Sequence, residues 1–181
     1  MRSIAILMLL AASASAEPHR LSIEQDPIAY ALRGWDVMLA YQHPALPHAR
    51  ATLSVYAAQF PGRSPDGFHD YAHGVTVKLQ YFPREGARGW MAGVQIAFEN
   101  QVYTYDMTGE HTDIDALIVG VIAGYRWVPT WAHGFFVYPW ARFGYSQPVR
   151  GDRELVIGNH KMTVGWFSPV LTFHVGYELT F

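Results

Sequence analysis

Apolar and polar residues alternate one by one along most of the chain beyond residue 34. The alternation is clearest over residues 171–181, where every second side chain from Leu171 to Phe181 is apolar and those between are small or polar. Residues 35–42, 75–81 and 90–102 repeat it. Successive side chains of a β-strand point to opposite faces, so each segment predicts a strand with one apolar and one polar face.

Two architectures produce this pattern. A soluble sandwich buries its apolar faces between two sheets, whereas a transmembrane barrel turns them to lipid and its polar faces to the lumen. The polar faces favour the barrel, because they hold small, amide and isolated charged residues: Gly93, Gln95, Glu99, Gly120, Gly124, Arg142, Gly144 and Gly176. Aromatic residues near strand ends predict girdles at two membrane interfaces: Trp35, Tyr81, Trp90, Tyr103 or Tyr105, Trp127, Tyr145 and Phe181.

The pattern predicts eight strands. Single-chain bacterial barrels have an even number, so residues 21–31 are predicted to form the first strand although Asp26-Pro27 interrupts it, with a tight turn near Arg33-Gly34. The fold class is therefore all-β, a transmembrane antiparallel up-and-down β-barrel. The other predicted strands are residues 35–42, 50–60, 71–82, 89–106, 113–127, 134–146 and a last strand after residue 168.

The connections are expected to differ between the two ends of the barrel. Barrel families place brief turns on the periplasmic side and longer loops outside. The short connections are residues 43–49, 83–88 and 128–133, and the outward ones are residues 61–70, 107–112 and 147–168.

The first sixteen residues have the three parts of a secretory signal peptide. Arg2 supplies a positive start, residues 4–12 are apolar, and Ala14-Ser15-Ala16 forms a cleavage site. The apolar run is shorter than the about 20 residues that a membrane-spanning helix needs. We expect residues 1–16 to be removed and residues 17–181 to form one barrel domain, exported through the periplasm to the cell outer membrane.

Composition supports a lipid-facing chain. Charged residues make up 15% of the sequence and hydrophobic ones 50%, against about 25% charged in soluble domains. The lack of cysteine excludes disulfides and thiol catalysis, and the net charge of −2 gives no indication of nucleic-acid binding.

The last strand and the strand count resemble a known family. The segment from His174 to Phe181 resembles the C-terminal signature of bacterial outer-membrane β-barrels, carried by His174, Gly176, Tyr177, Leu179 and Phe181. Eight strands over the mature chain resemble the small OmpA- or OmpX-type barrels. The resemblance implies recognition by the barrel-assembly machinery, contact with outer-membrane lipid and lipopolysaccharide, and a monomer.

An eight-stranded barrel is just wide enough for its own side chains to fill the lumen. Buried charges need partners, because an unpaired one costs several kcal/mol. We therefore predict a charge network in the interior, in which Glu99 and Arg142 pair across Gly120. Its members are Asp36, Lys78, Glu99, Arg126, Arg142, His174 and Glu178.

The sequence offers little catalytic or metal-binding chemistry. A metal site at His69, His73, Asp66 and Asp70, or a cation site in the acidic loop from Glu110 to Asp115, is weighed against ordinary solvated loops, which are favoured. No histidine is followed two residues later by serine, the pair carried by the lipid A deacylase family, and no Gly-x-Ser-x-Gly motif occurs. No catalytic residue, cofactor or metal is therefore assigned.

The favoured function is a structural or surface-interaction protein of the outer membrane, with specificity in its outer loops. The longest of them, residues 147–168, is the main candidate. A lipid A-modifying enzyme and a narrow channel or hydrophobic-ligand transporter, marked by a lateral gap near Pro139, are the alternatives.

Overall fold

A computed structural model describes residues 18–60 and 67–181; the predicted signal peptide lies outside them. Eight antiparallel strands form a closed barrel in the order β1-β2-β3-β4-β5-β6-β7-β10, and β8 and β9 form a separate hairpin. The predicted up-and-down barrel is thereby confirmed. The elements are β1 (Arg20–Gln25), α1 (Pro27–Ala31), β2 (Trp35–Gln42), β3 (Ala49–Gln59), β4 (Phe68–Tyr81), β5 (Gly89–Tyr105), β6 (His111–Arg126), β7 (Phe135–Arg150), β8 (Glu154–Ile157), β9 (His160–Thr163) and β10 (Phe167–Thr180).

The ring closes where the first strand pairs with the last. Arg20 lies opposite Thr180 and Gln25 opposite Val175. The short turns lie at the same end of the barrel as His19 and Phe181, which are hydrogen-bonded to each other, and this end is called the terminal end. The other, called the loop end, carries α1 and the β8–β9 hairpin. No helix in the described part of the chain is long and apolar enough to cross a membrane.

The two faces of the wall differ as the alternation predicts. On β5 the outward side chains from Trp90 to Phe98 are exposed, whereas Gln95 and Glu99 point inward and are buried. At a tilt of about 40°, this outward apolar stretch spans about 21 Å along the barrel axis, close to the about 25 Å band of membrane barrels. An apolar outside and a polar inside are the arrangement that lipid requires.

Exposed aromatic side chains lie at both ends of this apolar band. Tyr81, Trp90 and Trp127 are exposed at the terminal end, and Trp35 and Tyr145 at the loop end. The prediction that Tyr103 or Tyr105 belongs to an outer aromatic girdle is wrong. Both take inward positions on β5 and pack beneath the β8–β9 hairpin.

The first strand is much shorter than predicted. β1 ends at Gln25, and the five-residue α1 occupies the second half of the predicted strand, residues 21–31. Asp26 caps the helix, because its Oδ1 accepts a hydrogen bond from the backbone N–H of Ile28 at 2.8 Å. Pro27 favours the first helical position, where its missing N–H costs nothing.

Early termination of β1 leaves a gap in the wall at the loop end. β10 continues from residue 174 back to Phe167, but within the described residues its β1-side edge has no strand partner there. Pro169 lies on this free edge, where its missing N–H breaks no ladder. The short α1 contacts β2, β3 and β10 and so lies in the gap.

The long loop-end connection is an ordered structure. β7 continues to Arg150, beyond its predicted end, and β10 begins at Phe167. Between them, β8 and β9 form a hairpin that covers this end of the barrel. Its inward side chains form one apolar cluster with Tyr103 and Ile114 of the barrel: Leu155, Ile157, Met162 and Val164.

Candidate functional site

The lumen near the terminal end is filled with side chains. Phe82, Met91, Phe136 and Tyr138 belong to a buried apolar cluster that crosses it. The Arg126 guanidinium lies 3.7 Å from the centroid of the Phe136 ring, in cation–π contact. The network predicted for the lumen contains charged residues only, so this apolar cluster was not predicted.

Glu178 joins two arginines beside that cluster. Its Oε2 lies 2.8 Å from Arg126 Nη2 and its Oε1 lies 3.0 Å from Arg20 Nη1. Arg126 also donates to the carbonyl of Ala87 at 2.8 Å. Arg126 and Glu178, two predicted members of the charge network in the lumen, therefore lie in the interior and contact each other.

The middle of the lumen contains a buried pair that sequence reasoning missed. Glu24 of β1 and Arg50 of β3 form a salt bridge, and both are almost completely buried. Arg50 Nη2 also donates to Ser22 Oγ at 2.6 Å, and Arg50 Nη1 donates to Gln80 Oε1 at 3.2 Å. The signal was present in the sequence, since Arg50 precedes Thr52 and Ser54 at alternate positions.

His174 extends this network across the barrel. Trp140 Nε1 donates to His174 Nε2 at 2.7 Å, which places the ring proton on Nδ1, 3.2 Å from Glu24 Oε2. Lys78 lies nearby, with its Nζ 3.9 Å from the Trp140 ring centroid and 3.6 Å from Met38 Sδ. These contacts rigidify the lumen and leave both imidazole nitrogens engaged.

Glu99 and Arg142 occupy the interior nearer the loop end. Glu99 accepts hydrogen bonds from Tyr56 Oη at 2.5 Å and from Gln101 Nε2 at 2.8 Å. Arg142 Nη2 donates to Ser168 Oγ at 2.8 Å. The ion pair between Glu99 and Arg142 stays a prediction.

That ion pair was predicted from a register in which Glu99 lies opposite Gly120. This register is wrong. Glu99 lies opposite Ala116, and Gly120 lies opposite Gln95. The turn between β5 and β6 is centred between residues 107 and 108, because Thr104 pairs with His111, whereas the predicted pairing requires a turn centred further along the chain.

A cavity of about 420 Å³ lies at the loop end beside the gap in the wall. Its walls come from α1, from β10 and from the inward faces of β2, β3, β5 and β7. The lining includes Asp26, Ile28, Ala29, Leu32, Asp36, Tyr56, Ala58, Val164, Phe167, Leu171 and Thr172.

Two carboxyl groups line this cavity. Asp26 is engaged on both oxygens, by the Ile28 N–H and by Thr172 Oγ1 at 2.6 Å. Asp36, a predicted interior residue, is buried, and its Oδ1 has no hydrogen-bond partner among the described residues. One Asp36 oxygen is therefore available to a ligand.

A metal ion fits this position poorly. Ligand atoms of Asp26, Asp36 and His174 lie within 4.8 Å of one another. However, both nitrogens of His174 and both oxygens of Asp26 already make hydrogen bonds. Coordination would break several of these contacts.

The structure does not bring together the histidine cluster considered for a metal. His69 and His73 point outward from β4 while Asp70 points inward and is buried. His69 Nδ1 lies within hydrogen-bond distance of the Asp106 carboxylate. Asp66 lies outside the described residues.

Two of the acidic loop residues, Asp113 and Asp115, form an ion-pair cluster on the outer wall, beyond the apolar band. Arg150 pairs with Asp113 and Asp115, with its Nε 2.6 Å from Asp115 Oδ2, and Asn100 Nδ2 donates to Asp115 Oδ1 at 2.8 Å. The hydrogen bond from Arg150, followed by that from Asn100, lowers the pKa of Asp115. These carboxylates thus have a protein cation as partner.

The C-terminal signature residues occupy both faces of β10. His174 and Gly176 take inward positions, and Tyr177, Leu179 and Phe181 are exposed on the outside. A Cβ on Gly176 would meet the Phe136 ring at 2.4 Å and the Ile23 carbonyl at 2.7 Å. The glycine is therefore required by close packing inside the barrel.

Comparisons with known proteins find similarity to solved structures and no match in sequence. No protein-family profile matches the chain, and no curated protein matches it. Similar solved structures include the N-terminal β-barrel domain of Pseudomonas aeruginosa OprF, at 9% identity and a TM-score of 0.43, covering 91% of this chain and 98% of that one.

Two further structures are similar to the same degree. Neisserial surface protein A has 11% identity and a TM-score of 0.45, covering 90% of this chain and 94% of its own. A major outer membrane protein from Thermus thermophilus has 14% identity and a TM-score of 0.43, covering 89% of this chain and 99% of its own. These likenesses concern the fold, and no functional residue is transferred from them.

Proposed function

We propose that this chain is an integral outer-membrane β-barrel protein of structural or surface-interaction type, acting through its loop end. The proposal rests on the two faces of the barrel wall, which is apolar on the outside and ion-paired on the inside, the reverse of a soluble protein. Trp90 and Ile96 face outward from β5 while Glu99 on the same strand is buried. A soluble barrel with this outer surface would expose far more contiguous apolar area than monomeric soluble proteins do.

A side-chain-filled lumen argues against a pore. Phe136 and Tyr138 are buried in the terminal half, and the Glu24–Arg50 pair crosses the middle. Water or solute would have to break buried ion pairs, at a cost of several kcal/mol. The proposed protein therefore conducts no ions.

The loop end offers the surface for partners. The β8–β9 hairpin is anchored by its apolar inner face, while Val156 and Trp166 remain exposed. A rigid, ordered loop lowers the entropy cost of binding. Lipopolysaccharide and outer-membrane lipid are the proposed contacts of the monomer, with the barrel-assembly machinery acting during biogenesis.

Site-specific labelling tests location and orientation together, because the chain has no cysteine. We would introduce Val156→Cys in the hairpin and, as the matched control, Ala45→Cys in an exposed terminal-end turn. Intact cells treated with a membrane-impermeant maleimide are expected to label only the first variant, in the outer-membrane fraction. Labelling of only Ala45→Cys, or recovery in the soluble fraction, contradicts the proposal.

Planar-bilayer recording tests the closed lumen. The purified protein, checked for a heat-modifiable gel shift, is expected to give no stepwise currents beside a porin that does. Reproducible conductance steps from the folded protein would refute the non-conducting lumen.

A further inference from the structure

We propose that the loop-end cavity binds a single-chain amphiphile with a cationic, hydrogen-bond-donating head group, such as a long-chain amine. The amphiphile would enter from the surrounding lipid through the gap between β2 and β10. The inference rests on the membrane setting proposed above, and it adds a ligand and a site.

The cavity reaches from the lumen to the outside of the wall. It is lined by residues from both faces of β10, since the side chains of Phe167 and Leu171 point outward whereas that of Thr172 points inward. One cavity touches both faces of a strand only where the edge of that strand is free. Leu171 is 80% exposed, so the mouth of the cavity opens among lipid-facing side chains.

The inner end of the cavity is acidic. Among the described lining residues there are two carboxyl groups, Asp26 and Asp36, and no lysine, arginine or histidine. Thr172 and a backbone N–H engage Asp26, which leaves Asp36 Oδ1 buried and without a hydrogen-bond partner. The buried Lys78, which does not line the cavity, acts on Asp36 by its charge but makes no hydrogen bond to this oxygen. A buried acceptor without a donor costs free energy, and an ammonium group supplies three donors and a complementary charge.

The outer part of the cavity is apolar. Ile28 and Leu32 of α1 form one side, and Val164, Phe167 and Leu171 form the other. This composition suits a hydrocarbon chain that leads from the carboxylates to the lipid. A fatty acid would have the same chain, but its carboxylate would be repelled by Asp26 and Asp36.

The volume limits the occupant to a small amphiphile. A cavity of about 420 Å³ holds about fourteen waters and lies within the range of small-ligand pockets. It accommodates a head group with part of one chain. A lipid with several chains would have to leave most of them in the bilayer.

Photolabelling in vesicles tests the proposal directly. The protein is inserted into phosphatidylcholine vesicles and exposed to dodecylamine bearing a diazirine on the chain. Cross-links are expected on α1 and on residues 164–172, and unlabelled dodecylamine should compete for them. The same probe built on dodecanoic acid is expected to label these segments far less.

Three variants test the head-group contact, the cavity and the specificity of labelling. Asp36→Asn is expected to weaken amine labelling about tenfold or more, because it removes the charged acceptor. Ala58→Phe, a substitution of a buried lining residue, is expected to reduce labelling by filling the cavity. Asp152→Asn removes an exposed loop carboxylate and should label as the parent does.

The outcomes separate this proposal from the preceding one. Failure of the protein to insert into vesicles, shown by complete proteolysis, would contradict the membrane barrel itself. An inserted, heat-modifiable barrel that labels equally with amine and acid, or equally in Asp36→Asn and the parent, would overturn the amphiphile site alone.

Discussion

Replacing Arg50 with methionine tests whether the lumen is stabilised by its buried ion pair. Arg50 and Glu24 are almost completely buried, and Arg50 donates to Ser22 and Gln80 as well. The substitution keeps most of the apolar stem but leaves the Glu24 carboxylate with His174 as its remaining partner at 3.2 Å. Loss of one partner from a buried pair costs about 3–5 kcal/mol.

The paired replacement decides the origin of that cost. Glu24→Gln with Arg50→Met removes both charges, so no isolated charge remains in the lumen. We expect this double variant to lose clearly less than the sum of the two single variants, with a coupling energy of about 2 kcal/mol or more. A buried pair contributes mainly through the penalty that each charge suffers alone.

Reversible urea unfolding in lipid vesicles gives the measurement, monitored by tryptophan fluorescence and the heat-modifiable gel shift. Arg150→Met is the matched control, because Arg150 is an exposed arginine whose surface ion pairs are screened by solvent and contribute little to stability. Equal losses for Arg50→Met and Arg150→Met, or strictly additive losses in the double variant, would refute the reasoning.

Three further predictions concern other parts of the barrel. Gly176→Ala is expected to destabilise the folded barrel by about 1–3 kcal/mol in the same unfolding assay, because the new Cβ meets the Phe136 ring. Adding Phe136→Leu should recover part of this loss. Gly165→Ala, where a Cβ has room, should leave the stability unchanged. Ile157→Ser is expected to loosen the β8–β9 hairpin and speed tryptic cleavage at Lys161, whereas Val156→Ser on the exposed face should not; unchanged cleavage would contradict the anchoring cluster. Arg150→Ala is expected to raise the pKa of Asp115 towards its usual value in an NMR titration. Since that pKa is lowered in the folded protein, the stabilising effect of Asp115 is present above its ordinary value and disappears as pH falls through the lowered one; an unchanged titration would contradict the assigned cause.

The strands of the wall could be predicted from the sequence because the alternation of apolar and polar residues depends only on neighbouring positions. Each of β2 to β6 was predicted to within three residues at either end, since lipid on one side and a packed lumen on the other force strict alternation. The alternation alone does not predict where a strand ends. At Asp26-Pro27 the helix cap and the proline outweigh the alternation, and β1 ends after six residues.

The contacts across the lumen were harder to predict. The alternation along each strand identifies Lys78 and Arg126 as inward-facing, but it does not say which residue of a distant strand faces them. Glu24 and Arg50 are 26 residues apart in sequence, and Arg126 and Glu178 are 52 apart. Such pairs depend on strand stagger and on turn centres, and an error of two residues in one turn displaces a pairing by four.

The early end of β1 also explains why the loop end differs from the rest of the barrel. Where β1 pairs with β10 and β2, the wall is complete and the lumen is filled by Glu24 and Arg50. Beyond Gln25 the wall lacks a strand, and α1 covers only part of the opening with Ile28, Ala29 and Leu32 and does not fill the space behind it. The same aspartate that caps α1 also lines the cavity. A variant that continued β1, by replacing Asp26 and Pro27 with valine, should therefore close the gap and remove the cavity together.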